Sequence, residues 1–203
     1  DMGKPALKTV DSDGVAHFKK HAAKSQTIAK DVLRRLKFDN DTMNKVVRLV
    51  CYHDYRMPAS ARNVRRAMNK IGEDIFPLYM EVRRADVMAQ SMYLREEKIK
   101  NLDEIGELYR EILEKKQCVS LKDLAVTGRD LIEAGMEPGR EIGACLNELL
   151  QVVIEEPKKN VKEELLRIAA PCITGRLSGT LVRFSGEPGY DQASEQDKEM
   201  KGL

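Results

Sequence analysis

A chain of 203 residues with 42% apolar and 33% charged residues and a mean hydropathy of −0.47 can bury one large helical core or two small ones. Nothing in it approaches the 18 consecutive apolar residues of a membrane span, and no charged segment followed by an apolar run opens it, so neither a membrane nor secretion is expected. The net charge of +2 conceals an asymmetry: from His17 to Lys70, fourteen Lys and Arg stand against four acids, Asp31, Asp39, Asp41 and Asp54, while the rest of the chain is net acidic. A block so basic fits either a polyanionic partner or a solvated face.

Helical periodicity dominates along the chain, and strand alternation is nearly absent. A first helix is predicted from Ala22 to Leu36, with Ile28, Val32, Leu33 and Leu36 on one face. Asn40 or Asp41 caps a second, whose stripe is Met43, Val46, Val47 and Val50. Ser60 caps a third carrying Ala61, Val64, Met68 and Ile71, and Gly72 ends it. Asp74 opens a fourth with Pro77 in its first turn, and Leu78, Val82, Ala85, Ala89 and Met92 are expected to face inward. A fifth runs from Asp103 to Lys116 with Ile105, Leu108, Ile112 and Leu113.

Past Gln117 the elements shorten. Thr127 caps a helix from Gly128 to Ala134, closed by Gly135. Pro138 starts the next, whose stripe Ile142, Leu146, Leu149 and Val153 carries it to Glu155. Asn160 with Glu163 resembles a capping box for a last helix, Val161 to Ala169. That makes eight helices without a convincing sheet. The tail from Pro171 is rich in Gly, Ser and charge, with only Thr180 to Phe184 strand-like. The four cysteines, Cys51, Cys118, Cys145 and Cys172, form no CxxC pair and read as buried, reduced thiols of a cytoplasmic protein. An opening at Asp1 rather than methionine reads as a fragment or a processed product.

Two motif sets carry chemistry. The opening Asp1-Met2-Gly3-Lys4-Pro5 resembles the second half of the HDxGKP stretch of HD-superfamily metal-dependent phosphohydrolases. His17-Phe18-Lys19-Lys20-His21, His53-Asp54 and Asp86 follow in that superfamily's order, with Lys20 standing where a glycine often precedes the ligand histidine. The resemblance implies a divalent metal, Mg or a transition metal, held by Asp1, His21, His53 and Asp86, with Lys4 beside it as a phosphate clamp. Such a metal lowers the pKa of bound water and polarises a phosphate ester. The other reading of each residue is local: a helix-end cap for a histidine, an ion pair with Arg83 or Arg84 for Asp86.

The stretch from His17 to Thr42 with His53-Asp54-Tyr55-Arg56, and the run from Asp123 through Gly128, Gly135, Pro138-Gly139, Ile142-Gly143 and Pro157 to Asn160, together resemble the helical C-terminal part of bacterial CCA-adding tRNA nucleotidyltransferases and related poly(A) polymerase-like proteins. Capping alone explains the second run, and the exposed amides at Gly139 and Arg140 could hold a phosphate at a helix N-terminus. The resemblance implies an all-α fold: an HD-type helical domain over 1–100, a smaller helical tRNA-binding domain over 101–170, and an extension over 171–203 without an assigned role. The parent enzyme would add C, C and A to tRNA from CTP and ATP, with its catalytic head absent from these residues.

The basic block then reads as a grip on the tRNA backbone, through Arg56, Arg62, Arg65 and Arg66, the last three at i, i+3 and i+4 of one helix. With 5% aromatics and no Trp, a base-stacking platform is not supported, and neither DNA nor membrane is expected as a partner. The alternatives are a stand-alone HD phosphohydrolase acting on nucleotides, and an inert helical interaction module.

Overall fold

The computed structural model describes residues 2–174. Among them the fold is all-α, with eight α-helices, three short 3-10 turns and one two-stranded antiparallel hairpin. The helices are α1 (His21–Arg35), α2 (Asn40–Tyr52), α3 (Ala61–Ile71), α4 (Phe76–Ala89), α5 (Arg95–Glu114), α6 (Gly128–Glu133), α7 (Arg140–Glu155) and α8 (Lys162–Ile173). None is long and apolar enough to cross a membrane.

The described residues divide into two compact units, 2–58 with 74–103 and 59–73 with 104–174. α3 groups with the C-terminal unit. Its reason is chemical: Asn69 of α3 donates to the Val119 carbonyl at 2.9 Å, and Arg65 and Arg66 reach the end of α7.

In the first unit α1 packs on α2, and α2 on α4. The hairpin β1 (Thr9–Val10) and β2 (Ala16–His17) was not expected. Its turn is built by Asp11, whose carboxylate accepts from the amides of Asp13 at 3.0 Å and Val15 at 2.9 Å, while Gly14 takes a φ of +79°. Asp13-Gly14 was the available signal.

α4 departs from its predicted face. Leu78 and Met92 are 42% and 73% exposed, Ala85 and Ala89 face solvent, and Val82 is half-buried. The buried side belongs to Phe76, Tyr79, Arg83 and Val87. The Tyr79 hydroxyl donates to the Tyr55 carbonyl at 2.7 Å, and burial pushes its pKa up to about 12. A polar pair, Tyr79 and Arg83, thus occupies the inward register that apolar counting assigned elsewhere.

The second unit closes around Leu124, Val126, Leu131, Cys145, Leu149, Val153, Ile154 and Leu165, all 6% exposed or less. Burial pushes the Cys145 thiol up to about 12 and the Cys118 thiol up to about 11, so both stay protonated. α6 begins as predicted: Thr127 Oγ1 accepts from the Asp130 amide, and Asp130 accepts from the Thr127 amide at 2.7 Å. Gly135 has a φ of +103°, the left-handed closure expected of it. α7 starts at Arg140 rather than Pro138. Asn160 does not cap α8: its side chain instead accepts from the Ala125 amide at 2.8 Å and donates to the Asp123 carbonyl at 2.9 Å. α8 continues through Pro171 to Ile173, and the strand-like 180–184 lies outside the described residues.

Asp130 also pairs with Lys162. That ammonium, then the Thr127 hydroxyl and amide, hold its carboxyl well below the ordinary value of 3.8. A folded-state pKa below the unfolded one stabilises at higher pH and stops doing so as protonation sets in. Asp130→Asn is therefore expected to lower the urea midpoint at pH 7, with the variant and wild-type curves converging as the pH falls below 3.8. A gap that persists unchanged into acid would contradict this.

Candidate functional site

The first unit brings His21 and His53 together. His21 is the first residue of α1 and His53 follows the last residue of α2. Their Nε2 atoms lie 3.3 Å apart and their rings meet edge to face, centroids 5.2 Å apart. The other ring nitrogen of each is fixed by a backbone carbonyl: His21 Nδ1 donates to Phe18 at 2.9 Å, and His53 Nδ1 to Val50 at 2.8 Å. A carbonyl can only accept, so both Nδ1 atoms carry hydrogen. In the neutral rings both Nε2 lone pairs are then turned toward one small region. Such an arrangement is stabilised by a cation between them, and a fixed Nδ1–H is the usual way a protein orients a metal-ligating imidazole. Burial holds His21 below the ordinary imidazole value, which favours the neutral form.

The approach to α1 depends on Gly3. Its amide donates to the buried Ser25 hydroxyl at 2.9 Å, and a Cβ there would meet the His21 carbonyl at 2.5 Å and the Ser25 amide at 2.8 Å. Only glycine lets this loop lie on the first turn of α1. Lys4 follows, its ammonium 5.9 Å from the Phe18 ring centroid, and its charge reaches His21. Lys20, where the resemblance favours glycine, adopts a left-handed φ of +64°. His17 is turned away from this site into a 2.7 Å pair with Asp11.

Arg83, which the sequence offered only as a partner for Asp86, is buried. Only 8% of its side chain is exposed, and it donates to the His53 carbonyl at 3.2 Å and to Asp86 at 3.0 Å. It thereby ties the end of α2 to α4. Asp86 also accepts from Gln90 at 2.7 Å, so the ion-pair reading of this carboxylate describes its surroundings. Asp1 lies outside the described residues. Among those described, no three His, Cys, Asp or Glu side chains are grouped to hold a metal ion. The structure assembles the two nitrogens of the expected ligand set. Arg56 pairs with Asp54 at 3.2 Å, beside the same histidines.

The arginines of α3 are placed differently from expectation. Arg65 is 5% exposed and cannot contact RNA. It donates to the Ile154 carbonyl at 2.7 Å, the Glu155 carbonyl at 3.3 Å and Gln117 at 3.0 Å. It is a cap for the last carbonyls of α7, which have no partner within the helix. Arg62 and Arg66 both pair with the Glu155 carboxylate, of which 13% is exposed. The i, i+3, i+4 spacing gave no warning, because it reports a shared face and not which face is buried.

A family model for tRNA nucleotidyltransferase domain 2 matches residues 14–169, and the chain belongs to that family. It is similar, more narrowly, to the CCA-adding enzyme of Lacticaseibacillus paracasei strain ATCC 334, with 43% identity over 58 residues. That match covers 29% of this chain and 15% of the enzyme's length. No solved structure matches.

Removing Arg65 leaves α7 carbonyls and Gln117 unpaired in the interior. Arg65→Ala is expected to cost about 3 kcal/mol of stability in urea unfolding. Arg65→Lys should recover less than half of that, because one ammonium cannot reproduce the guanidinium fork. Arg62→Ala, at an exposed pair, is expected to cost under about 1 kcal/mol.

Proposed function

We propose that this chain is the helical, tRNA-binding part of a tRNA nucleotidyltransferase, working in the cytoplasm, and that its first unit carries an HD-type phosphate site. Membership in the domain 2 family over residues 14–169 is the observation that carries the reading. The likeness to a CCA-adding enzyme favours tRNA as the polyanion that the basic block meets. In the complete enzyme, CTP and ATP would be consumed at the catalytic head, and the helical part would hold the tRNA through its phosphates.

The His21–His53 pair supports the second half of the proposal. Two oriented imidazole nitrogens 3.3 Å apart fit a divalent cation as far as nitrogen donors go. His21 and His53 would hold it, with Asp1 as the proposed oxygen ligand, while Asp86 keeps its pair with Arg83. When bound, the metal would supply a Lewis acid and an activated water toward a phosphate ester such as a 2′,3′-cyclic phosphate. The chain's own residues do the positioning: Phe18 and Val50 set the tautomers, Arg83 anchors His53, and Lys4 and Arg56 offer positive charge to a phosphate. A stand-alone nucleotide phosphohydrolase is the rival that this pair favours.

Filter binding with a tRNA transcript at two salt concentrations separates the two. Salt-sensitive tRNA binding, weakened several-fold by Lys4→Ala with Arg56→Ala, is expected. Hydrolysis of 2′,3′-cyclic AMP with added Mn²⁺, lost in His21→Ala and His53→Ala, without tRNA affinity at low salt would overturn the tRNA reading in favour of the phosphohydrolase.

A further inference from the structure

With Arg65 buried and Arg62 and Arg66 held by Glu155, the cations available to a polyanion must be sought elsewhere. They lie on α1. Lys24, Lys30, Arg34 and Arg35 all occur on its exposed side, with Lys20 at its N-terminus and Lys37 just past its C-terminus. At 100° per residue the four helical cations fall within less than half the circumference, opposite Ala22, Ser25 and Ala29, which are buried. The other exposed members of this face are Ala23, Thr27 and one acid, Asp31. None of Lys20, Lys24, Lys30, Arg34, Arg35 and Lys37 has an acidic partner among the described residues. The arrangement contrasts with α3, where adjacent arginines share one carboxylate.

The face ends in an exposed apolar corner. α1 closes with the Lys37 amide donating to Arg34 at 3.0 Å and the Phe38 amide to Leu33 at 3.1 Å, a left-handed cap with Lys37 at φ +58°. Every residue from Arg34 to Asn40 is exposed, including Leu36 at 59% and Phe38 at 48%. In such a cap the residue at the Phe38 position ordinarily packs back on the helix. Here the aromatic residue is left about half exposed at the end of a cationic face.

We infer that the outer face of α1 is the RNA-backbone surface of the first unit, and that Phe38 stacks on an exposed base at its C-terminal end. The inference rests on the tRNA reading above and names the residues that serve it. A helix of 15 residues is about 22 Å long, enough to follow several successive phosphates along one strand of a folded RNA. Lysines and arginines without acid partners release counterions on binding, which sets the salt dependence. One aromatic at the end of that track supplies a stacking contact that is indifferent to sequence. Charge complementarity selects RNA over an apolar partner: Lys24, Lys30, Arg34, Arg35 and Lys37 outweigh Asp31 on the face that leads to the exposed ring.

The test is fluorescence anisotropy with a tRNA transcript over a salt series, using the full chain. Lys24→Glu/Lys30→Glu/Arg34→Glu is expected to weaken binding at least tenfold at low salt. The slope of log K against log salt should fall by about 2 to 3, near 0.9 for each phosphate that is no longer neutralised. Phe38→Ala should weaken binding about tenfold with an unchanged slope, and Phe38→Trp should restore it. All these positions are exposed, and circular dichroism should show unaltered helix content. Wild-type binding that the triple variant retains with the same slope overturns this assignment and leaves the tRNA reading standing. Absence of wild-type binding at low salt overturns both. Equal loss in Phe38→Ala and Phe38→Trp overturns the stacking contact alone.

Discussion

A helix must do something with its last carbonyls, and in the C-terminal unit that requirement is met by a buried cation. Arg65 enters from α3 and donates to the final turn of α7, while Glu155 at the same turn holds Arg62 and Arg66. A guanidinium is tolerated in the interior only when its donors are filled and a negative partner is close. Here Ile154, Glu155 and Gln117 fill them, and the Glu155 carboxylate balances the charge. The α7 dipole adds to that balance, since its C-terminal end is the negative one. The division of the chain follows from this contact, for α3 belongs to the unit whose helix end it completes.

The same logic operates on a smaller scale at the histidines. His53 satisfies a carbonyl at the end of α2, and in doing so it presents Nε2 to His21. Structural capping and ligand orientation are one hydrogen bond seen from its two ends. The capping interpretation and the metal interpretation of such a histidine are therefore compatible: the cap produces the geometry that a ligand needs.

Many local signals were legible, although Asp39 rather than Asn40 or Asp41 caps α2 and the Asp13-Gly14 turn was missed. Ser60 caps α3, Thr127 and Asp130 close a reciprocal box, and Gly135 takes a left-handed φ, all as their residue types dictate. The order of the histidines announced the pair that the fold assembles. What escaped was decided at long range. Asn160 has the chemistry of a cap but serves backbone 35 residues upstream. The inward side of α4 was misread because Arg83 and Tyr79 are buried for their hydrogen bonds, which apolar periodicity does not register. Arg65 was misread in the same way, its acceptor being 89 residues distant. A charge count cannot separate cations committed to helix ends from those facing water.

α6 has six residues, fewer than the roughly 12 to 15 at which a helix begins to hold itself together in water. Its reciprocal cap is local, but Leu131 is buried in a core with α7 and α8, and Asp130 depends on Lys162, 32 positions further on. α6 therefore draws part of its support from a helix that arrives 32 residues later, and loosening α8 removes the ion pair that its cap shares.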